Sequence, residues 1–196
     1  MKKITVLGLL IFGLSNLQAQ EFFRIGAKAG VNFSNVSGDD IDANSRSGFH
    51  VGLVSEIPFS EKFYFSPEVL YSSQGFKATE SIAGTEYEIK TKLDYIQIPL
   101  MLRYYVAGGF NLEAGPQVGF LTSAESKVDD EDWEDISEFV SGFEYGLAVG
   151  AGYKLINGLF AQARYNLGLA NVNSDEEFDE DKIRNGVIQL SIGFMF

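Results

Sequence analysis

The last eleven residues, 186–196, constrain the fold more than any other stretch of the chain. Large apolar residues take every second position, and small or polar residues lie between them: Ile188, Leu190, Ile192, Phe194 and Phe196 against Gln189, Ser191 and Gly193. Side chains alternate between the two faces of a strand, so the pattern predicts a strand with one fully apolar face. Because the sequence ends at Phe196, we expect lipid, and no later element, to cover that face.

Seven further segments alternate in the same way and are also predicted to be strands. The eight segments are 23–33, 49–57, 63–72, 95–104, 110–120, 143–154, 159–169 and 186–196. The connections between them alternate between long and short: 34–47, 58–62, 75–90, 106–109, 123–138, 156–158 and 171–182. Up-and-down barrels of outer membranes have an even strand number, short turns on one rim and longer loops on the other.

Two local signals add detail to this prediction. Asn157-Gly158 is typical of a type I′ hairpin turn, whose two central residues both have positive φ. Pro67 lies inside the third predicted strand and has no backbone N–H, so we expect a bulge or a local irregularity there.

The composition of the second face distinguishes a membrane barrel from a soluble one. A soluble barrel with its apolar row inside needs many charged residues outside. Here the second row is mostly Gly, Ser, Asn and Gln with scattered charges, which suits a narrow lumen. Charged residues predicted to line the lumen are Arg24, Lys28, Glu56, Glu68, Arg103, Glu113, Glu144, Lys154 and Arg164.

The N-terminal sequence predicts export. Lys2 and Lys3 precede an apolar run from Ile4 to Leu14, and Ala19 offers a small residue for cleavage, so residues 1–19 are interpreted as a signal peptide and residues 20–196 as the barrel domain. The chain has no cysteine, which excludes disulfides and thiolate metal sites. A net charge of −12 makes nucleic acid an unsuitable partner.

The chain resembles the outer-membrane β-barrel domain family, which is porin-like and includes PorT-like proteins. The resemblance lies in five segments spread over nearly the whole mature chain: 66–72, 93–100, 113–116, 146–152 and 163–169. It implies a barrel in the outer membrane. It brings no shared catalytic residue.

Catalysis is considered through His50, the only histidine of the chain. Its predicted inward position, near acids such as Glu56 and Glu68, would suit a general base. A hydrolase also needs a nucleophile or an activated water, and no serine has a recognisable sequence setting. We therefore predict no catalytic residue, no cofactor and no enzyme activity.

The inward charges allow two interpretations of the lumen, a conducting pore or a plug. Eight strands enclose an interior that side chains can fill, which favours pairing of opposite charges into a plug. Glu68 with Arg103, and Glu113 with Arg164, are the predicted pairs.

Two acidic segments, 123–138 and 171–182, hold 14 of the 27 Asp and Glu residues. Such carboxylates can bind calcium. The spacing matches no EF-hand, so a solvated acidic rim is the preferred interpretation and no metal site is predicted. Trp133, inside the first segment, is interpreted either as an anchor of the loop or as an exposed contact residue.

The sequence therefore predicts an all-β, eight-stranded antiparallel up-and-down transmembrane β-barrel in the cell outer membrane. We expect a monomer with both termini on the periplasmic side, four long loops outside, and a structural or surface-interaction role. Its expected partners are outer-membrane lipid and lipopolysaccharide, the barrel-assembly machinery during insertion, and an unknown partner of the loops. The alternatives are a small pore or ligand-carrying channel, and a soluble periplasmic lipid-binding barrel.

Overall fold

The structure, a computed structural model, describes residues 23–37, 43–82, 85–129, 132–169 and 184–196. The predicted signal peptide and the acidic segment 171–182 lie outside these residues. No described helix could span a membrane. The strands are β1 (Arg24–Ser37), β2 (Ala43–Pro58), β3 (Phe63–Ile82), β4 (Thr85–Ala107), β5 (Phe110–Val128), β6 (Glu134–Asp135), β7 (Phe143–Lys154), β8 (Leu159–Gly168) and β9 (Arg184–Met195).

Eight long strands form a closed antiparallel ring, and the two-residue β6 pairs with the end of β5 outside that ring. Each long strand pairs with its neighbours in the chain, and β9 returns to pair with β1. At this closure Lys28 lies opposite Gly193, and Gly30 lies opposite Ser191. Gln189 lies opposite Asn32, so the polar rows of the two strands meet. The eight-stranded up-and-down barrel is confirmed.

The two faces of the strands are sorted as the alternation predicts, with the apolar row outside. On β9, Leu190 is 46% exposed and Ile192 is 68% exposed, whereas Gln189 between them is 1% exposed. Charged side chains such as Lys28 and Glu68 are buried inside the ring. A water-soluble barrel has the opposite arrangement, so the soluble periplasmic alternative is wrong.

Short turns and both described chain ends share one rim of the barrel, which we call the turn rim. It carries residues 59–62, 108–109 and 155–158. Here the N–H of Phe196 donates to Ile25 O at 2.8 Å, and that of Met195 donates to Gly158 O at 2.9 Å. The opposite rim is called the loop rim.

The turn at Asn157-Gly158 differs from the predicted type I′ turn. Gly158 has a φ of 92°, but Asn157 is not among the residues with positive φ. The N–H of Gly158 donates to Leu155 O at 3.1 Å, and the N–H of Leu155 donates to Leu159 O at 2.8 Å. These bonds describe a three-residue hairpin loop with a left-handed glycine at its end, the next most common solution after the two-residue turns.

Strands near the loop rim are longer than predicted, so the expected loops 75–90 and 123–138 were wrong over much of their length. β3 and β4 pair up to Ile82 and Thr85, and β4 and β5 pair up to Ile89 and Val128. Within the second of these segments, residues 134–135 form strand β6. In this region the outward face carries charged residues such as Lys90 and Lys92 in place of apolar ones, so apolar alternation no longer marks the strand. We call residues 73–82, 85–94 and 123–128 with β6 the loop-rim extension.

The irregularity expected at Pro67 is present without a bulge. Val54 pairs with Glu68 and Ile57 with Phe65, so the β2–β3 register is the same on both sides of the proline. Between these pairs, the Ser55 hydroxyl donates to Pro67 O at 2.9 Å and the Ser66 hydroxyl donates to Ser55 O at 2.5 Å. Side-chain hydroxyls thus bond to backbone carbonyls beside the residue that lacks an N–H.

Candidate functional site

Charged side chains inside the barrel form one connected cluster, which we call the lumen network. Seven long strands each contribute one inward charged residue to it: Lys28, Glu56, Glu68, Arg103, Glu113, Lys154 and Arg164. Of the β9 side chains that the structure describes, none adds a charge to it, since the inward ones there are uncharged residues such as Gln189 and Ser191. Six of these side chains are at most 4% exposed, and Lys154 is 12% exposed.

Glu56 connects the network to the turn rim. Its Oε1 accepts from Arg103 Nη1 at 2.7 Å and from the Tyr105 hydroxyl at 2.5 Å. Its Oε2 accepts from Lys154 Nζ. The carboxylate thus has three donors from two strands, β4 and β7, that are not its neighbours in the ring.

Arg164 is the centre of the network at mid-barrel. Its Nη1 and Nη2 donate to the two oxygens of Glu68 at 2.9 and 2.8 Å, a bidentate pair. Its Nε also donates to Glu113 Oε1 at 2.7 Å. On the other oxygen of Glu113, Arg103 Nη2 donates at 3.0 Å. Lys28 Nζ lies 2.8 Å from Glu68 Oε2. Charge-assisted, bidentate contacts of this kind are the strong class of hydrogen bond.

Of the two predicted ion pairs, Glu113 with Arg164 is a close contact, and Glu68 with Arg103 is a longer one. Arg164 and Glu113 are in direct contact, as predicted. Arg103 Nη2 lies 3.8 Å from Glu68 Oε1, whereas Arg164 and Lys28 each lie 2.8 Å from Glu68. The reason is that β3 and β8 face each other across the narrow lumen, and sequence neighbourhood does not reveal facing strands.

Two other charged residues predicted to line the lumen lie outside the network. Glu144 accepts a hydrogen bond from Gln97 Nε2 at 2.6 Å, nearer the loop rim. Arg24 lies at the turn rim and is exposed. The network itself holds four cations and three carboxylates, so it carries one positive charge in excess inside a chain of net charge −12.

His50 contacts neither of the acids expected beside it. Its Nδ1 lies 2.7 Å from Asn32 Oδ1, and its Nε2 lies 2.7 Å from Ser191 Oγ. The amide oxygen can only accept, so Nδ1 carries the proton and Nε2 accepts from the Ser191 hydroxyl. Ser191, His50 and Asn32 are therefore linked by hydrogen bonds in the same sequence as the nucleophile, the base and the orienting group of nucleophilic hydrolases. The sequence did not reveal this contact, since residues 32, 50 and 191 lie on three strands.

Burial argues against chemistry at these three residues. His50 is 1% exposed, Asn32 is fully buried and Ser191 is 5% exposed. Gly30 packs so close that a Cβ there would lie 2.7 Å from His50 Cε1. The Asn32 amide also donates to Ser72 Oγ at 3.0 Å and to Ser73 O at 2.9 Å. The group therefore has the properties of a satisfied polar core layer.

Apolar clusters lie inside the barrel near both of its ends. Toward the turn rim, Val54, Phe160 and Met195 pack together. Toward the loop rim, a second cluster also includes residues of the β5–β7 connection: Leu93, Tyr95, Ala124, Leu121, Ile136 and Val140. Between this second cluster and the lumen network lie buried amides such as Asn166 and Gln189, whose side-chain atoms lack partners among the described residues. Because these buried amides have no protein partner among the described residues, this layer of the lumen has the capacity to hold ordered water.

The outward face of the loop-rim extension carries charges of both signs. Glu88 lies 2.7 Å from Lys90 and 3.4 Å from Lys77, and hydrogen bonds from these two ammonium groups lower the pKa of Glu88. Lys92 lies 3.1 Å from Asp94 and 3.2 Å from Glu125. These cross-strand contacts hold the three strands together above the apolar belt.

Trp133 stands beside this face. It is 43% exposed, and the ammonium of Lys127 lies 5.5 Å from the centre of its ring. Both predicted roles are thus partly met, because the ring is held by a cation–π contact and remains accessible. Within the described ranges, no three His, Asp or Glu side chains converge on a possible metal position.

The family model for the outer membrane protein beta-barrel domain matches residues 18–174. The chain belongs to this family. The predicted family and the predicted location in the outer membrane are confirmed. As a member of the outer-membrane β-barrel family, the chain carries its apolar belt in lipid and its lumen network inside the membrane.

Solved structures support the same fold. Neisserial surface protein A has 14% sequence identity and a TM-score of 0.57, with 88% of this chain and 97% of that chain covered. Ail, the attachment invasion locus protein of Yersinia pestis, solved with the heparin analogue sucrose octasulfate, has 17% identity and a TM-score of 0.50, with 89% and 99% covered. At such identities the likeness concerns the fold alone. No curated protein matches the chain.

Replacing Arg164 tests the lumen network. Arg164→Ala leaves Glu68 and Glu113 buried with less compensating charge, so we expect the free energy of unfolding to fall by about 3–5 kcal/mol. Unfolding by urea in lipid vesicles, followed by the different gel mobilities of folded and unfolded barrel, measures this. Lys62→Ala, at an exposed turn position, is the control and should change stability little.

A second variant separates lost charge pairing from lost packing. Adding Glu68→Gln to Arg164→Ala removes the carboxylate that has lost its bidentate partner and keeps Lys28 and the more distant Arg103, and it should restore part of the lost stability. A loss below about 1 kcal/mol for Arg164→Ala, the range of exposed pairs, would contradict an energetically coupled network.

Proposed function

We propose that this protein is a non-conducting, non-enzymatic outer-membrane barrel with a structural or surface-interaction role, exerted by its loop-rim extension. The observation that carries the proposal is the contrast between the two parts of the molecule. The lumen is filled by mutually satisfied charges, whereas the extension projects beyond the apolar belt and exposes charged and aromatic side chains.

The lumen network supports the absence of conduction. Arg164 joins β8 to Glu68 on the facing strand β3, and Lys154 joins β7 to Glu56 on the facing strand β2. Such contacts cross the interior and do not line its wall. Eight strands leave an interior that side chains can fill, and the apolar clusters add to that filling. A solute would have to displace buried ion pairs in order to pass.

The length of the strands supports a role at the loop rim. β3, β4 and β5 have 20, 23 and 19 residues, about twice the number needed to cross hydrocarbon. The additional residues form a paired sheet fixed by ion pairs, with Trp133 and Phe139 exposed near it. Rigid, partly apolar surface outside a membrane suits contact with another molecule.

The expected partners follow from this position. Outer-membrane lipid and lipopolysaccharide contact the belt and the base of the extension, and an unidentified partner contacts its outward face. The barrel-assembly machinery is the expected partner during insertion. A monomer is expected because ring closure leaves each long strand paired on both sides.

Conductance in planar lipid bilayers tests the plug. We expect no stepwise current at low voltage in concentrated KCl, because the lumen network blocks the interior. The same preparation after heat unfolding is the control for contaminating channels, whose current would persist. Reproducible steps that require the folded protein would overturn the non-conducting part of the proposal.

Labelling with a fluorophosphonate tests the non-enzymatic part. The Ser191 hydroxyl is buried and hydrogen-bonded to His50, so we expect no covalent adduct on the folded barrel in detergent or in lipid. Intact-protein mass spectrometry measures the adduct, and Ser191→Ala provides the unlabelled reference. An adduct on the native chain that is absent from Ser191→Ala and His50→Ala would show a reactive serine.

Photo-crosslinking in cells tests the surface role. A photoreactive residue at Lys90, on the outward face of the extension, is expected to give crosslinks to protein or to lipopolysaccharide. The same residue at Leu100, which is 40% exposed in the apolar belt, is the matched control and should crosslink to acyl chains. Equal crosslinking patterns at both positions would argue against a specific partner of the extension.

A further inference from the structure

A cavity of about 820 Å³ opens at the turn rim, at the end of the lumen. Inward side chains from four strands line it: Arg24 of β1, Tyr64 of β3, Tyr105 of β4 and Lys154 of β7. Two of these are cations and two carry hydroxyl groups. The proposed structural or surface role makes no use of this cavity, which lies at the opposite end from the loop-rim extension.

The positive charge of the cavity is not balanced by its nearest acid. Arg24 pairs in backbone register with Glu56, the carboxylate closest along β2. Both oxygens of Glu56 are already occupied, one by Arg103 and the Tyr105 hydroxyl, the other by Lys154. Between residues 23 and 196, and with the gaps stated above, no described side chain forms an ion pair with Arg24. A guanidinium with five N–H donors therefore faces the cavity.

Lys154 supplies a second cation whose position is fixed. Its ammonium lies 4.8 Å from the centre of the Tyr105 ring and 5.7 Å from that of Tyr64. The two rings meet edge to face with centres 5.0 Å apart. This aromatic pair and the carboxylate of Glu56 hold the ammonium of Lys154, and Arg24, which is exposed, lines the same cavity. The arrangement is preorganised for an anion that can accept from both.

The cavity is also open toward the outer wall of the barrel. Tyr153, Leu155 and Ile156 line it as well, and all three are exposed on the apolar side. A ligand can therefore enter from water at the turn rim or from the adjacent lipid leaflet. Either route brings a phosphate group within reach of the two cations.

We propose that this cavity, which we call the turn-rim pocket, binds a phosphate group between Arg24 and Lys154. A phosphate offers several oxygens, enough to accept two N–H bonds from the guanidinium and one from the ammonium at the same time. Its source is a lipid headgroup of the adjacent leaflet or a soluble phosphate compound. The proposal does not depend on whether the barrel conducts or on what contacts the loop rim.

Binding to the purified full barrel in non-ionic detergent tests the pocket. One arm titrates inorganic phosphate and follows the ³¹P resonance, and the other uses native mass spectrometry with short-chain phosphatidylglycerol. We expect Arg24→Gln to weaken binding about tenfold, the effect of losing a charge-assisted hydrogen bond. Arg24→Lys should keep part of the affinity. Lys62→Gln removes an exposed cation of the same rim outside the pocket and should leave affinity unchanged.

The outcomes distinguish the sources of the phosphate. Binding of inorganic phosphate that is weakened by Arg24→Gln and unchanged in Lys62→Gln supports a soluble ligand. Binding of the lipid alone, with the same dependence on Arg24, supports a headgroup site. Absence of binding in both arms, or equal weakening by Arg24→Gln and Lys62→Gln, would overturn the proposal. Unchanged heat-modifiable gel mobility confirms that the variants are folded, which is expected because Arg24 makes no ion pair in the described part of the chain.

Discussion

Pairing of β9 with β1 is the contact on which the rest of the structure depends. The hydrocarbon core of a bilayer contains no water that could bond to free backbone N–H and C=O groups, so a sheet inside it must have no edge. The register from Gly26 opposite Met195 to Ser37 opposite Arg184 removes that edge along the full height of the barrel. Once the ring is closed, one face of each strand must meet lipid and the other must fill a narrow interior.

The interior then sets a second requirement, since charges placed there have little water. A buried carboxylate or ammonium is costly unless its partners are in good geometry and its remaining donors and acceptors are satisfied. The lumen network meets this requirement because its groups share hydrogen-bond partners. Glu56 accepts from three donors, and Arg164 donates to two carboxylates. At the turn rim the same sharing leaves Arg24, which lies outside the network, without a carboxylate among the described residues, so the mouth of the barrel carries a further positive charge.

The fold could be predicted from sequence because lipid outside and polar residues inside impose a period of two on each strand. That signal covers residues such as Leu190 and Gln189, whose exposures differ as their parity predicts. It fails in the loop-rim extension, where the outward residues such as Lys90 are charged and inward residues such as Thr91 are polar although buried. The lengths of β3, β4 and β5 were therefore underestimated.

The site was less predictable. The odd or even position of a residue in its strand gives the face on which it lies, but not its position along the barrel axis or its partner. Glu68 was expected to pair mainly with Arg103 on the next strand, and it pairs mainly with Arg164 across the lumen. Which residues meet there depends on the tilt and stagger of the strands. The contact of His50 with Asn32 and Ser191 was missed for the same reason, and no local motif signals it.

The cross-lumen position of Arg164 and Lys154 has a consequence for the kinetics of folding. Their partners Glu68 and Glu56 lie on facing strands, which come within reach only when the sheet curls and its first and last strands approach. These contacts are therefore absent from any open sheet that precedes closure. Interactions that form after the transition state slow unfolding and leave the folding rate little changed. The buried ion pairs thus slow unfolding and extend the lifetime of the inserted barrel, and they do not slow its assembly.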